Sequence, residues 1–342
     1  MTPAACRAIA AGAAAWANPS SPHAEGRAAR AALEQARAAI AGAYGWTGET
    51  ILTSGASEAL WIALRRAQVD RRLVTAVEHD AVLRAAPDAG TLPIAAGGAL
   101  DLAALAARVA PGTLVCAQWA NSETGVRQAI AEIACVVHDG GGLLLVDAAQ
   151  MPAGADPDVA AHADLVAISA HKRGGPPGIG ALLVRDFGVL EPTGGQERGY
   201  RPGTENLPAA LGYAAALAEP ESMDALTLLR ARLDDAVMRS GGEVVARDAW
   251  RHPAIGSYRL PGVAATTQLI RLDLSGFAIS AGSACSSGSM KPSHVLAALG
   301  WPEEAGREVI RVSFGRTTTE TEVDAFIAAW RGMARATSRF AA

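Results

Sequence analysis

Lys172 stands in the segment Ser169-Ala170-His171-Lys172-Arg173-Gly174-Gly175-Pro176-Pro177-Gly178-Ile179-Gly180. The apolar run at 164–168 reads as a strand that delivers this lysine onto a turn dense in Gly and Pro. Such a turn lets backbone approach a bulky ligand closely. A lysine held there beside a serine and a histidine is placed to form a Schiff base with a carbonyl cofactor. The ordinary alternative is a solvated loop lysine, and three other segments weigh against it.

The first is Leu143-Leu144-Leu145-Val146-Asp147-Ala148-Ala149-Gln150. It reads as a buried parallel strand ending in an acid, and ligands of open α/β sheets collect at the carboxyl ends of strands. An aspartate there could hold the proton on a pyridine nitrogen; taken alone, it could equally cap a helix. The second is Leu52-Thr53-Ser54-Gly55-Ala56-Ser57-Glu58-Ala59, where small residues precede a helix and its N–H groups could bind a phosphate. It lacks the Gly-Lys-Ser/Thr ending of a P-loop. The third is the run 280–289, in which Cys285 is surrounded by Ser, Gly and Ala. A thiol in such an exposed loop is a candidate nucleophile if a neighbour lowers its pKa. The other cysteines read as structural: Cys116 in a strand, Cys6 and Cys135 in helical patterns, with burial as a small hydrophobe the usual role.

These residues need a scaffold, and the chain can supply one. Its 342 residues suffice for two domains, half of them are hydrophobic, and the net charge of −4 gives no reason to expect a nucleic-acid partner. The cysteines show no metal-ligand spacing, so no metal site is expected, and a reducing cytoplasm fits best. No long uncharged apolar run suggests a membrane span. The alanine-rich stretch at 8–17 reads as the first helix and not as a signal peptide.

Apolar runs alternate with amphipathic stretches, which predicts an α/β fold of parallel strands and crossover helices. Strands are expected at 73–77, 114–118, 143–146, 165–169 and 181–184. Helices are expected at 57–67, 103–109 and 129–138, with another starting at Ser21-Pro22. Beyond Asn206 the pattern turns α+β: helices at 209–218 and 223–240, then short strands near 256–259, 269–274 and 309–314.

From about Asn18 to Asp324 the chain resembles the pyridoxal-phosphate-dependent cysteine desulfurases, NifS/IscS-like members of the class V aminotransferase superfamily. Besides the Lys172, Asp147, Ser57 and Cys285 segments, the resemblance is carried by Asn18-Pro19-Ser20-Ser21-Pro22-His23 with Gly26-Arg27, Glu78-His79-Asp80-Ala81-Val82-Leu83, Asn121-Ser122-Glu123-Thr124-Gly125, Arg201-Pro202-Gly203-Thr204-Glu205-Asn206 and Arg311-Val312-Ser313-Phe314-Gly315-Arg316. It implies a fold-type I architecture. A large domain of residues 18–208 would hold a mostly parallel sheet flanked by helices. A smaller α+β domain of 1–17 and 209–342 would carry the cysteine loop.

The resemblance also implies roles. Lys172 would bind pyridoxal phosphate covalently and move protons, Asp147 would pair with the pyridine nitrogen, and Gln150 would reach the ring hydroxyl. His79 would stack on the ring. Ala56, Ser57, Ser169 and His171 would surround the phosphate, with Thr204 reaching the neighbouring subunit of a homodimer. Arg316 would clamp the substrate carboxylate with Ser122 nearby. Cys285 would take the sulfur of L-cysteine, leaving alanine and a persulfide. That sulfur would pass to an acceptor protein of iron–sulfur, tRNA-thiolation or molybdenum-cofactor synthesis.

Three departures stand out. Ser122 replaces a common asparagine that helps hold cofactor and substrate. Pro177 replaces a common lysine. The chain starts at Met1-Thr2-Pro3, where the family usually has a further strand, so either the start is truncated or another segment covers that side. The carboxyl end is short as well. The neighbouring activities are selenocysteine lyase and other aminotransferases, and a plain aminotransferase needs no Cys285. A non-catalytic dimeric relative would not need Lys172, Asp147, His79, Cys285 and Arg316 together.

Overall fold

The computed structural model describes residues 1–282 and 292–338. They form two compact units. The first comprises Met1–Leu92, Leu102–Trp119 and Gln128–Pro220; the second takes Pro93–Asp101, Ala120–Arg127 and the chain from Glu221 onwards.

In the first unit, α1 (Pro3–Ala14) is capped by Thr2, whose hydroxyl accepts from the Ala5 N–H. Helix α2 (Ala24–Ala43) starts later than Ser21-Pro22 suggests, because the His23 ring does the capping, accepting from the Gly26 N–H at 3.2 Å. The chain then alternates: β1 (Glu49–Thr53), α3 (Ala56–Arg66), β2 (Arg71–Thr75), α4 (Asp80–Ala85), β3 (Gly90–Leu92), α5 (Leu102–Ala106), β4 (Thr113–Gln118), α6 (Ile130–Asp139), β5 (Leu143–Asp147), α7 (Pro157–His162), β6 (Leu165–Ser169), β7 (Gly180–Val184) and α8 (Leu207–Leu217).

The seven strands lie in the order β1-β7-β6-β5-β4-β2-β3. Strands β3, β2, β4, β5 and β6 run parallel, whereas β7 is antiparallel to both its neighbours. Every residue of β4, β6 and β7 is buried, as expected of strands covered on both faces. Parallel register aligns the carboxyl ends: Gln118 pairs with Asp147, and Asp147 with Ala167, two residues before Ser169. The chemistry-bearing ends of β4, β5 and β6 thus share one edge.

The division of the chain differs from the expected one. Helix α1 packs on α8 through small residues: a Cβ on Gly212 would sit 2.5 Å from Ile9, and one on Gly12 2.8 Å from Leu211. This close approach joins residues 1–17 and all of α8 to the first unit, while 93–101 and 120–127 go to the second.

The second unit holds α9 (Met223–Met238), β8 (Glu243–Val244), β9 (Ile255–Arg259), α10 (Ala265–Leu274), β10 (Ser280–Ala281), α11 (His294–Ala298), α12 (Glu303–Gly306), β11 (Val309–Ser313) and α13 (Glu320–Ser338). Its antiparallel sheet, β10-β11-β9-β8, packs Tyr258 and Ile310 against Leu233, Phe326 and Trp330. The strand expected near 269–274 is instead the end of α10. Ile270, Leu272 and Leu274 alternate like a strand, yet the buried positions are Ala265, Gln268 and Leu272, at helical spacing. Ile270 and Leu274 point to solvent.

Among the described residues no helix is long and apolar enough to cross a membrane, and no cluster of His, Cys, Asp and Glu could hold a metal ion.

Candidate active site

The turn from β1 into α3 forms the first part of the site. Gly55 occupies the cap position at φ +150° and leaves the first turn of α3, where Ala56 and Ser57 lie, without a side-chain cap. A Cβ on Gly180 would stand 2.7 Å from the Gly55 Cα and also strike the Ile168 carbonyl, so only glycine lets β7 pass this close. The same packing brings Gly55 beside the end of β6, where Ser169 Oγ lies 2.8 Å from His171 Nδ1. Backbone N–H groups at a helix start, a hydroxyl and an imidazole therefore gather at one place, a cradle suited to a phosphate. Burial, with Lys172 and Arg173 nearby, lowers the His171 pKa.

The second part lies along the strand ends. Asp147 is buried, and its Oδ1 accepts from the Ala149 N–H at 3.0 Å. Its main-chain oxygen accepts from the Trp119 N–H. Gln150 follows, half-buried, on the turn closed by the Met151 N–H and the Ala148 carbonyl. His79 caps α4: Nδ1 accepts from the Ala81 N–H at 3.1 Å, which assigns the ring proton to Nε2. Burial lowers the His79 pKa; the charge of Asp147 opposes this and that of Lys172 adds to it. The three sequence-predicted residues thus share one electrostatic neighbourhood. Lys172 is half-buried on a tight turn in which the Arg173 and Gly175 N–H groups both donate to the Ala170 carbonyl. That turn is pinned from outside by the Thr2 N–H on the Gly174 carbonyl at 2.8 Å.

The segment leading to Thr204 is fastened to the same helix start. Arg201 Nε lies 3.0 Å from Glu58 Oε1, and Glu58 Oε2 accepts from the Ser54 N–H at 2.5 Å. Burial raises the Glu58 pKa, but the Ser54 and Arg201 contacts outweigh it and leave the carboxyl below its ordinary value. Glu197, buried, pairs with Arg37 and accepts from the Leu52 N–H in β1. Thr204 itself is exposed.

Sequence reasoning assigned no role to Glu78. It is fully buried one residue before His79, and its Oε1 accepts from Thr75 Oγ1 at 2.6 Å and from the Gln118 N–H at 2.9 Å. The available signal was its place inside the Glu78-His79-Asp80 motif.

The second unit carries the other sequence-predicted residues. Asn121 builds their turn: its Oδ1 accepts from the Glu123 and Thr124 N–H groups at 2.9 and 2.8 Å. Ser122 is half-buried, and its carbonyl accepts from Arg311 Nη1 at 3.1 Å. Arg316 Nη1 lies 3.2 Å from Glu221 Oε1. Cys285 falls outside the described residues. Of the cysteines expected to be buried, Cys116 is, whereas Cys6 and Cys135 are exposed, because each occupies the outer side of its helix.

Residues 12–326 match the model of the aminotransferase class-V family. The chain belongs to that family. A cysteine desulfurase of Cereibacter sphaeroides is 36% identical over 332 residues, covering 90% of this chain and 86% of the relative. A cysteine desulfurase of Bradyrhizobium diazoefficiens is 38% identical over 341 residues, covering 91% and 86%. The solved structure of a NifS-like protein from Rickettsia africae superposes with a TM-score of 0.88 at 28% identity, covering 97% of this chain and 96% of that one. The family is generally dependent on pyridoxal phosphate, and the residues present fit it. The uncapped α3 start and the Ser169–His171 pair suit its phosphate, Asp147 at a strand end suits its ring nitrogen, and Lys172 suits its carbonyl carbon.

Proposed function

We propose that this protein is a cysteine desulfurase that converts L-cysteine to L-alanine and carries the sulfur as a persulfide on Cys285. The observation that carries the reading is the convergence of Asp147, His79 and Lys172 beside the Ser169–His171 cradle, in a chain whose curated relatives are named cysteine desulfurases.

Pyridoxal phosphate, when bound, supplies an electron sink that weakens the bonds around the substrate Cα. Lys172 would hold it and move the proton at Cα. Ala56, Ser57, Ser169 and His171 would hold its phosphate. Asp147 would keep the proton on the ring nitrogen, Gln150 would meet the ring hydroxyl, and His79 would lie on the ring face. Arg316 would receive the substrate carboxylate, with Ser122 beside it. The Cys285 thiolate would attack the substrate sulfur; the C–S bond breaks, its electron pair stays with carbon, and carbon takes up a proton. The balance is cysteine plus a thiol giving alanine plus a persulfide, with no outside oxidant.

The exposed Thr204, on a segment fastened to the α3 start, supports a homodimer in which it reaches the partner's phosphate site. The sulfur would pass to an acceptor protein. Free thiols at Cys6, Cys116 and Cys135 agree with a reducing cytoplasm.

Cys285→Ser tests the reading. The variant should bind the cofactor and bind cysteine but release no alanine. Mass spectrometry of the unaltered protein after brief exposure to cysteine should find one extra sulfur on the Cys285 peptide. Extra sulfur on Cys6, Cys116 or Cys135, with the variant still active on cysteine, would remove the mechanism. An unaltered protein active on selenocysteine but not on cysteine would be a selenocysteine lyase instead.

A further inference from the structure

Two buried acidic side chains lie in the neighbourhood of His79, Asp147 through its charge and Glu78 as the residue before it. Asp147 ends β5, and Glu78 ends the turn that leads into α4; they are 7% and 0% exposed. Glu78 does more than fill space there. Its Oε1 takes the Thr75 hydroxyl and the Gln118 N–H, while Gln118 Nε2 donates to the Val77 carbonyl at 2.7 Å. The Thr75 bond closes the 75–78 turn, and the two Gln118 bonds staple it to the end of β4. Gln118 is also the register partner of Asp147. The turn that delivers His79 and the strand that delivers Asp147 are therefore both referred to one residue, Gln118, with Glu78 as the link.

Resting on the function proposed above, we infer that Glu78 is a positioning residue. It fixes the His79 turn through its oxygen contacts, and it holds a proton at neutral pH, so that Asp147 is the ionised member of this buried pair of carboxyls. Two ionised carboxylates buried this close would repel each other. Burial pushes the Glu78 carboxyl up to about 8, with the charge of Asp147 adding to it while the Thr75 and Gln118 bonds hold it back. The titratable groups that act on Glu78 are Asp147 from β5 and Cys116 from β4. The Cys116 thiol is driven well above its ordinary value by burial, Glu78 and Asp147, so it stays protonated across this range.

The test compares Glu78→Gln with Glu78→Ala in the cofactor-loaded protein. The amide keeps an oxygen for Thr75 and Gln118 and a hydrogen where the proton sits. Glu78→Gln should retain activity on cysteine within about threefold at pH 7, whereas Glu78→Ala should fall about tenfold or more. The unaltered protein should lose activity on the alkaline side as Glu78 gives up its proton, and Glu78→Gln should lack that limb. A second readout needs no turnover. A carboxyl raised from its ordinary 4.5 to about 8 makes the folded state bind more protons than the unfolded one, so stability falls as pH rises through that window. The Tm advantage of Glu78→Gln over the unaltered protein should therefore grow from pH 4.5 to 8, with or without cofactor. Loss of activity in Glu78→Gln as deep as in Glu78→Ala would overturn the inference, as would a Tm difference that does not change with pH. An unaltered protein without activity on cysteine would overturn the functional reading instead, and the Tm comparison would still decide the protonation of Glu78.

Discussion

Arg316 meets Glu221 at 3.2 Å within the second unit, so the guanidinium assigned to the substrate carboxylate already faces a carboxylate of its own chain. Both side chains are largely shielded from solvent, at 21% and 12% exposure. An incoming substrate carboxylate would compete with Glu221 for the same donors.

Glu221→Gln should therefore lower the KM for cysteine, by about threefold, since partly exposed ion pairs are individually modest. Arg316→Ala should raise KM about tenfold or more, the effect of losing a charged hydrogen bond. Steady-state kinetics of the two variants checks both. A KM unchanged in Arg316→Ala would dismiss Arg316 as the substrate clamp.

Lys172 should make the protein yellow. Lys172→Ala should lose the covalent attachment and its absorption band, while the α3 cradle and the Ser169–His171 pair retain some free pyridoxal phosphate. Absorption spectra before and after gel filtration measure this. Bound cofactor should also raise the Tm of the unaltered protein, because a ligand of the folded state stabilises it by mass action. A colourless protein that takes up no added pyridoxal phosphate would sink the central claim.

His79 should set an acidic limit to the proposed activity. Burial, first, and then Lys172 hold its pKa below the usual imidazole value, against the pull of Asp147. A neutral ring able to accept a proton should thus persist to lower pH than in a free histidine. Activity should rise with pH through this lowered pKa and level off above it. The linkage has the same sign: the stability tied to a depressed histidine is present above the unfolded value and is lost as pH falls below it. His79→Gln should lose the acidic limb and about a hundredfold in kcat. A pH–rate profile whose acidic limb is the same in the variant would assign that limb to another group.

How far this could be read from the chain depends on the range of each interaction. Asp147, Ser169 and Lys172 follow continuous apolar runs, and a strand buried on both faces announces itself that way. Their convergence then follows from parallel register, as Gln118 opposite Asp147 shows. The Arg201–Glu58 pair spans 143 residues and left no local trace. Strand β1 went unread because its polar threonines mask it, although Thr50 and Thr53 are buried. In α10 the alternation of Ile270, Leu272 and Leu274 imitated a strand, and only burial of Gln268 and Leu272 reveals the helix. Cys6 and Cys135 were assigned by the usual habit of their residue type; which side of a helix faces outward is decided by its neighbours.

The second unit borrows residues 120–127 from the middle of the chain. The Arg127 N–H bonds to the Trp250 carbonyl at 2.8 Å, the His252 N–H to the Gly125 carbonyl at 2.7 Å, and Arg311 reaches the Ser122 carbonyl. During synthesis this stretch leaves the ribosome more than 100 residues before those partners exist. A nascent chain that ends at Pro220 has every strand of the large sheet in hand, yet the turn carrying Ser122, closed locally by Asn121, must wait for the later partners that hold it from outside. The lysine and aspartate can be in place first; the turn that carries Ser122 arrives last.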